Sequence, residues 1–240
     1  MDEKILIIIP AYNEEESILS TYQSIIDFNK KNNTNLDVIV INDGSRDNTY
    51  KICIDNNIPT ISLIHNLGIG GAVQTGYKYA EMNDYDIAIQ FDGDGQHDIN
   101  SVQNLINSIL NKNNDFVIGS RFVHGSKSEF KSSRARRMGI RLISFMIKLV
   151  TGKRIMDTTS GYRAANKKVI SLFAYSYPVE YPEPITTTEL IKMGYVIDEV
   201  PAMMFEREGG VSSIHSWKNF YYMFNILLSI LIIGTGRYNK

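Results

Sequence analysis

Four short apolar runs each stop at a polar or glycine-rich loop, and a helical pattern follows each loop. Residues 5–9 (ILIII) lead into PAYNEE from Pro10, and residues 38–41 (VIVI) lead into NDGSRDNT from Asn42. Residues 61–64 (ISLI) lead into HNLGIGGA from His65, and residues 87–91 (IAIQF) into DGDGQH from Asp92. Unbroken apolar runs of this length, bounded by turn residues, read as strands buried on both faces. Their alternation with helical patterns predicts an α/β fold with a mostly parallel sheet and helices on both sides. The four loops then gather on one sheet edge, where open α/β sheets bind ligands. Further strands are expected at 116–119 and 196–200. Helices are expected at 14–31, 47–57, 70–83, 100–111, 132–150 and 187–193, with Asp47 capping the second and Thr49 in its first turn.

The 240 residues suffice for one large domain with a proper core, and no linker, low-complexity tract or repeat divides them. We place this domain over residues 1–213 and an apolar C-terminal helix over 214–240. A net charge of −1 gives no argument for a nucleic-acid partner. Cys53 is the single cysteine, which excludes an intrachain disulfide framework and a thiolate zinc cluster. It is expected as small core filling. The chain passes from Met1 into its first strand with no signal-peptide pattern, which favours the cytoplasm.

The FDGDGQH stretch sets Asp92 and Asp94 one residue apart at a strand end. Carboxylates there can hold a hard cation, Mg²⁺ or Mn²⁺, against a diphosphate. Surface turns are also rich in Asp and Gly, so the pair gains its meaning from the loops beside it. Asp43, ending the second run, can accept hydrogen bonds from a base edge or ribose hydroxyl. Gly68, Gly70 and Gly71 allow close backbone approach, and the helix behind them offers free N–H groups to an anion. Read without a family, Glu14 complements its helix dipole and Tyr12 packs at the edge. His97 either ligates a metal or hydrogen-bonds nearby backbone.

The motifs IPAYNEEES, VINDGSRDNT, NLGIGGAVQTG, FDGDGQH, IGSRF, DTTSGYRA and EREGGVSS, in this order, cover nearly the whole chain. Together they resemble the family 2 glycosyltransferases, with their Rossmann-like GT-A fold. The likeness is greatest to the branch that loads a sugar onto a polyprenyl phosphate, such as dolichol-phosphate mannose synthases and undecaprenyl-phosphate sugar synthases. The resemblance implies that Pro10, Ala11, Tyr12, Glu14 and Asp43 line the base and ribose pocket of a nucleotide sugar. It implies Asp94 as direct metal ligand, Asp92 on the ribose or through water, and Gln96 on metal or sugar. Ile69 stands where many relatives have lysine. The glycine loop with Gly70 is thus expected to shape the base pocket rather than neutralise phosphate.

Between Arg121 and Arg154 ten basic residues face one acid, Glu129, and interleave with Ile140, Leu142, Ile143, Phe145, Met146, Ile147 and Leu149. That pattern suits either a solvated helix face or an anionic membrane surface. By resemblance, Arg121 and Arg136 or Arg137 bind the acceptor phosphate, with the planar fork of arginine taking two oxygens. Arg207, Gly210, Ser212 and Ser213 resemble a late loop that closes over the diphosphate, with Ser212 at the acceptor phosphate. An ionised phosphate needs no base to attack the anomeric carbon and invert it. A hydroxyl acceptor would need one, with Asp157 or Glu183 as the base. Asp157 is equally a turn cap, and Glu180 and Glu183 sit in a proline-punctuated loop, VEYPEP.

Residues 220–233 are apolar apart from Asn225 and Ser229, yet as a helix they span roughly 21 Å. A bilayer core needs about 30 Å. This helix is expected to lie in the membrane interface, join an oligomer or dock on a small membrane protein. The expected activity is inverting, metal-dependent hexose transfer from a nucleotide sugar, weakly favouring uridine, to a polyprenyl phosphate at the inner membrane face. Its rivals are extension of a cell-surface polysaccharide and a non-catalytic nucleotide-sugar-binding subunit. A pyrophosphorylase would need a glycine-rich, basic first loop, which residues 10–15 do not supply.

Overall fold

The computed structural model describes residues 3–126, 134–205 and 216–236. Seven strands form one sheet in the order β3-β2-β1-β4-β6-β5-β7. They are β1 (Ile5–Ala11), β2 (Leu36–Asn42), β3 (Thr60–Ser62), β4 (Ile87–Gln90), β5 (Phe116–Ser120), β6 (Arg163–Asn166) and β7 (Ile197–Pro201). β1 pairs in parallel with β2 and β4, β2 with β3, and β5 with β7. β6 runs antiparallel between β4 and β5.

Side chains alternate between two buried layers, which is why these runs carry no polar face. Ile7, Ile9, Val38 and Val40 face one core with Ile18, Ile25 and Phe28 of α1 (Ile18–Asn32) and Val102 and Leu105 of α4 (Val102–Lys112). Cys53 of α2 (Thr49–Asp55) is buried there, as core filling. Leu6, Ile8, Ile39 and Ile41 face the other core, under α3 (Gly68–Met82), α5 (Arg134–Thr151), α6 (Lys167–Tyr175), α7 (Pro182–Lys192) and α8 (Ser216–Thr235).

Several boundaries differ from the sequence expectation. β6 and α6 were not anticipated, because RAAN has no β-branched run and its pairing is set by the neighbouring strands. α2 is capped at Asn48, and Asp47 instead accepts from the Thr49 N–H at 2.9 Å. α7 begins at Pro182, five residues before expected, because proline is tolerated in a first helical turn. Its buried Thr186, Thr187 and Thr188 donate back to the carbonyls of Pro182, Glu183 and Pro184 at 2.6, 2.7 and 2.7 Å.

α8 is not a free-standing element. Ile226, Ile230 and Ile233 are buried, and the helix packs on α5 and α7. Its other face exposes Tyr221, Phe224, Leu228, Leu231 and Ile232, and α5 exposes Met138, Leu142, Phe145 and Leu149 beside it. No helix among the described residues is long and apolar enough to cross a membrane.

Candidate active site

The ends of β1, β2 and β4 bring their loops to one edge of the sheet around a cavity of about 650 Å³. Pro10, Ala11, Tyr12 and Glu14 after β1, and Asp43 after β2, form one part of its wall. Asp92 and Asp94 after β4, Thr159, Gly161 and Glu183 also line it. Gly68 and Ile69 of the glycine loop line it as well, whereas Asn13, Asn66, Ala72, Thr159 and Gly161 were not foreseen as lining it.

Asp43 is buried and accepts from the Leu67 N–H at 2.7 Å, which ties the β2 loop to the start of α3. Burial pushes its pKa up, against the backbone N–H groups of Leu67 and Gly68. Glu14 is held by its own N–H, which donates to Thr49 Oγ1 at 2.8 Å. Ser17 Oγ donates to the Gly93 carbonyl at 2.8 Å, fixing the aspartate turn on α1.

Both oxygens of Asp92 have partners: Gln90 Nε2 lies 3.3 Å from Oδ1 and His97 Nε2 lies 2.9 Å from Oδ2. Burial raises the Asp92 pKa, but His97, Gln90 and Arg163 outweigh it and hold the carboxyl below the usual range. His97 is buried against Phe91 and Tyr162, with ring centroids 5.4 and 4.8 Å away. Its partner is therefore a carboxylate, not the backbone. Gly161 keeps this arrangement open, since a Cβ there would lie 2.6 Å from Asp92 Oδ2.

Asp94 Oδ1 accepts from the Gln96 N–H at 3.1 Å. Gln96 is not among the residues lining the cavity, and its Nε2 donates to the Phe205 carbonyl at 3.5 Å. No group of three or more His, Cys, Asp or Glu among the described residues could hold a metal by itself. Two carboxylates on one cavity wall still fit a hard cation whose remaining ligands are substrate diphosphate and water.

Gly70 is also reassigned. It lies in the first turn of α3 and faces the segment before α7, where a Cβ would meet the carbonyls of Pro178 and Val179 at 2.3 and 2.5 Å. The glycine thus permits a close approach of α3 to that backbone, while Gly68, Ile69 and Ala72 beside it line the cavity.

A second cavity, of about 630 Å³, opens beneath α5. Arg121, Arg137, Arg141 and Arg154 line it together with Phe122, Ile140 and Met156. Arg121 grips the fully buried Asp157 with Nε and Nη2 at 2.8 and 2.7 Å, and its backbone N–H adds a third bond at 3.0 Å. Asp157 is therefore no general base: its carboxylate is committed to Arg121, and Arg121 is first of all its counter-ion. Arg121 Nη2 also donates to Thr159 Oγ1 at 3.0 Å, so one hydrogen bond joins the walls of the two cavities. Of the two arginines expected at an acceptor phosphate, Arg137 lines this cavity. Arg136 does not, and lies near Arg121, Asp157 and Tyr222. Arg141 and Arg154 were legible only as part of a charge run. Arg207, Gly210, Ser212 and Ser213 lie outside the described residues.

Arg163 of the GYRA motif is the largest fully buried side chain and was also missed. It donates from Nε to the Ser160 carbonyl at 2.6 Å and from Nη1 to the Glu183 carbonyl at 2.8 Å. A lone arginine in a short motif between two strands was its signal.

Residues 6–173 match the model of the family described as glycosyl transferase family 2. The chain belongs to glycosyl transferase family 2. It is 31% identical over 256 residues to the UDP-N-acetylglucosamine–dolichyl-phosphate N-acetylglucosaminyltransferase of Methanococcus voltae, covering 98% of each chain. It is 30% identical to the undecaprenyl-phosphate mannosyltransferase of Micrococcus luteus, covering 88% of this chain and 87% of that one. The fold matches glucosyl-3-phosphoglycerate synthase from Mycobacterium tuberculosis, solved with Mn²⁺, UDP and phosphoglyceric acid. That match has a TM-score of 0.67 at 18% identity, over 97% of this chain and 79% of the other. This family 2 member is thus a GT-A glycosyltransferase, similar to the enzymes that use dolichyl and undecaprenyl phosphates.

Proposed function

We propose that the protein transfers a hexose from a nucleotide sugar, a uridine nucleotide by preference, to a polyprenyl phosphate, with inversion at the anomeric carbon. The observation that carries this reading is the meeting of two cavities of opposite character across the Arg121–Thr159 hydrogen bond. The donor cavity presents Asp92 and Asp94, and its neighbour presents four arginines over an apolar wall. A lipid phosphate needs both of the latter, because its headgroup is a dianion and its tail is hydrocarbon. The two dolichyl- and undecaprenyl-phosphate relatives support the same acceptor.

In this mechanism Pro10, Tyr12 and Asp43 hold the nucleoside, and Asp92 and Asp94 orient the diphosphate. A divalent cation, Mg²⁺ or Mn²⁺, held by Asp94 and Asp92 would supply charge neutralisation for the leaving diphosphate. The acceptor phosphate enters beneath α5 beside Arg137, and its ionised oxygen attacks from the face opposite the leaving group. Arg121, fixed by Asp157, keeps its positive charge at the join between the substrates. Arg207 and Ser212 are proposed to close over the diphosphate.

The enzyme is proposed to work at the inner face of the cell membrane. The exposed apolar stripes of α5 and α8 lie side by side, flanked by exposed Arg137, Arg141 and Lys148. Such a face suits an anionic interface, with the mouth of the arginine cavity on the same helix.

The test is a screen of nucleotide sugars against a short polyprenyl phosphate, with and without chelator. Transfer that stops in chelator and in Asp94→Ala is the expected result. Replacing Arg141 and Arg154 by Gln should raise KM for the lipid about tenfold or more at unchanged donor affinity. Transfer to an oligosaccharide but to no lipid phosphate would refute the acceptor assignment.

A further inference from the structure

We infer that Glu183 reads the donor sugar, its carboxylate accepting hydrogen bonds from hydroxyls of the hexose and so setting which hexose is used. The inference rests on the nucleotide-sugar reading and extends it to a residue that chooses the substrate.

Three observations converge on this side chain. Glu183 lines the donor cavity together with Asp92, Asp94 and Thr159, on the wall formed by the start of α7. Its backbone is anchored: the Glu183 carbonyl accepts from Arg163 Nη1 at 2.8 Å and from Thr187 Oγ1 at 2.7 Å. Its carboxylate, by contrast, has no hydrogen bond from another residue among the described ones, only from its own N–H. A rigidly mounted carboxylate with no hydrogen bond from another residue among the described ones, turned to a cavity, is a group whose hydrogen-bond donor arrives with the substrate.

The turn before it has the marks of a functional constraint. Tyr181 takes a left-handed conformation (φ 53°, ψ 46°) directly before Pro182. Both its bulk and the following proline disfavour that conformation. The Tyr181 ring is locked edge-on against Tyr222 of α8, with centroids 4.5 Å apart. The strained turn and the proline at the first helical position together fix where Glu183 enters the cavity.

The chemistry narrows what Glu183 can take. Burial is the main cause that raises the Glu183 pKa, with the Asp92 charge adding to it and the Arg163 charge opposing it. A phosphate oxygen placed against this carboxylate would be repelled. A sugar hydroxyl would not, because it is a neutral donor and the carboxylate is an acceptor with several open lone pairs. A general-base role has no proton to take when the nucleophile is an ionised phosphate. A site built to bond a hydroxyl also rejects the sugar lacking it, because its buried acceptor is left unpaired.

The experiment needs no acceptor. Calorimetry in Mn²⁺ would compare UDP, UDP-hexoses epimeric at one carbon and their single-deoxy analogues on the wild type and Glu183→Gln. UDP should bind both proteins within about twofold, which also reports a folded site. The preferred UDP-hexose should weaken about tenfold or more in the variant, and one deoxy analogue should bind both proteins alike. Unchanged affinity for every UDP-hexose in Glu183→Gln would overturn the inference. A wild type that binds UDP but does not distinguish the hexoses would overturn it while leaving the nucleotide site standing. A wild type that binds no UDP would remove the donor reading, and this inference with it.

Discussion

Replacing Asp157 by Ala should unfold this enzyme far more readily than any loss of a surface charge. The substitution removes three hydrogen bonds from Arg121, at 2.7, 2.8 and 3.0 Å. It leaves a guanidinium whose side chain is only 6% exposed without its counter-ion. Breaking one side of a buried ion pair costs about 3–5 kcal/mol, chiefly because the surviving charge stays desolvated. For a domain of this size each kcal/mol moves the midpoint by about 2–4 °C, so the expected fall is about 6–20 °C. Thermal denaturation followed by circular dichroism reads it directly. Lys167→Ala is the control: it breaks the Lys167–Asp84 pair, in which both side chains are largely exposed, and should leave the midpoint almost unchanged. Adding Arg121→Ala to Asp157→Ala should cost less than the sum of the two single changes, because no unpaired charge then remains. If Asp157→Ala is as mild as Lys167→Ala, Asp157 is not the buried anchor of Arg121, and its exclusion as a base loses its ground.

Gly161→Ala should abolish sugar transfer with little change in folding, since its Cβ would press on Asp92 Oδ2; stopped-time assays with radiolabelled donor check it, and near-normal turnover would refute the close approach. Flotation with liposomes should find binding that needs anionic lipid and fades with salt, each basic residue near the surface contributing about 1 kcal/mol. Replacing Phe145, Leu149 and Phe224 by Ser should abolish that flotation without changing UDP affinity. A monomer that ignores anionic liposomes would refute the membrane face, and a dimer closed over these residues would assign it to self-association.

The parallel half of the sheet was legible because β1, β2 and β4 are continuous apolar runs that end in turn residues. The same pattern located Asp43, Asp92 and Asp94, since strand ends in such a sheet fix the site edge. The antiparallel β6 was invisible for the opposite reason: Ala164 and Ala165 are small residues whose strand conformation comes from the partners on either side. The packing of Gly70 was not legible, because a glycine cluster carries the same signal whether it admits a ligand or a neighbouring backbone. Asp157 left two roles open in sequence, and only the placement of Arg121 over it decides between them. Arg141 and Arg154 were lost in a charge run, since periodicity cannot tell a cavity wall from a solvated face.

The reversed direction of β6 has a practical consequence for anyone redesigning this enzyme. In an all-parallel sheet only the loops that follow strands reach the ligand edge. Here the turn that precedes β6 reaches it too, carrying Asp157, Thr159 and Gly161 in five residues that touch both substrate chambers. In the proposed mechanism a change in that turn is felt by donor and acceptor together, so it is a poor place from which to alter one specificity alone. The proposed acceptor side can be changed by itself on α5, through Arg137 and Arg141, and the proposed donor side at the start of α7, through Glu183. The two proposed specificities thus sit on separate helices, coupled through one short turn.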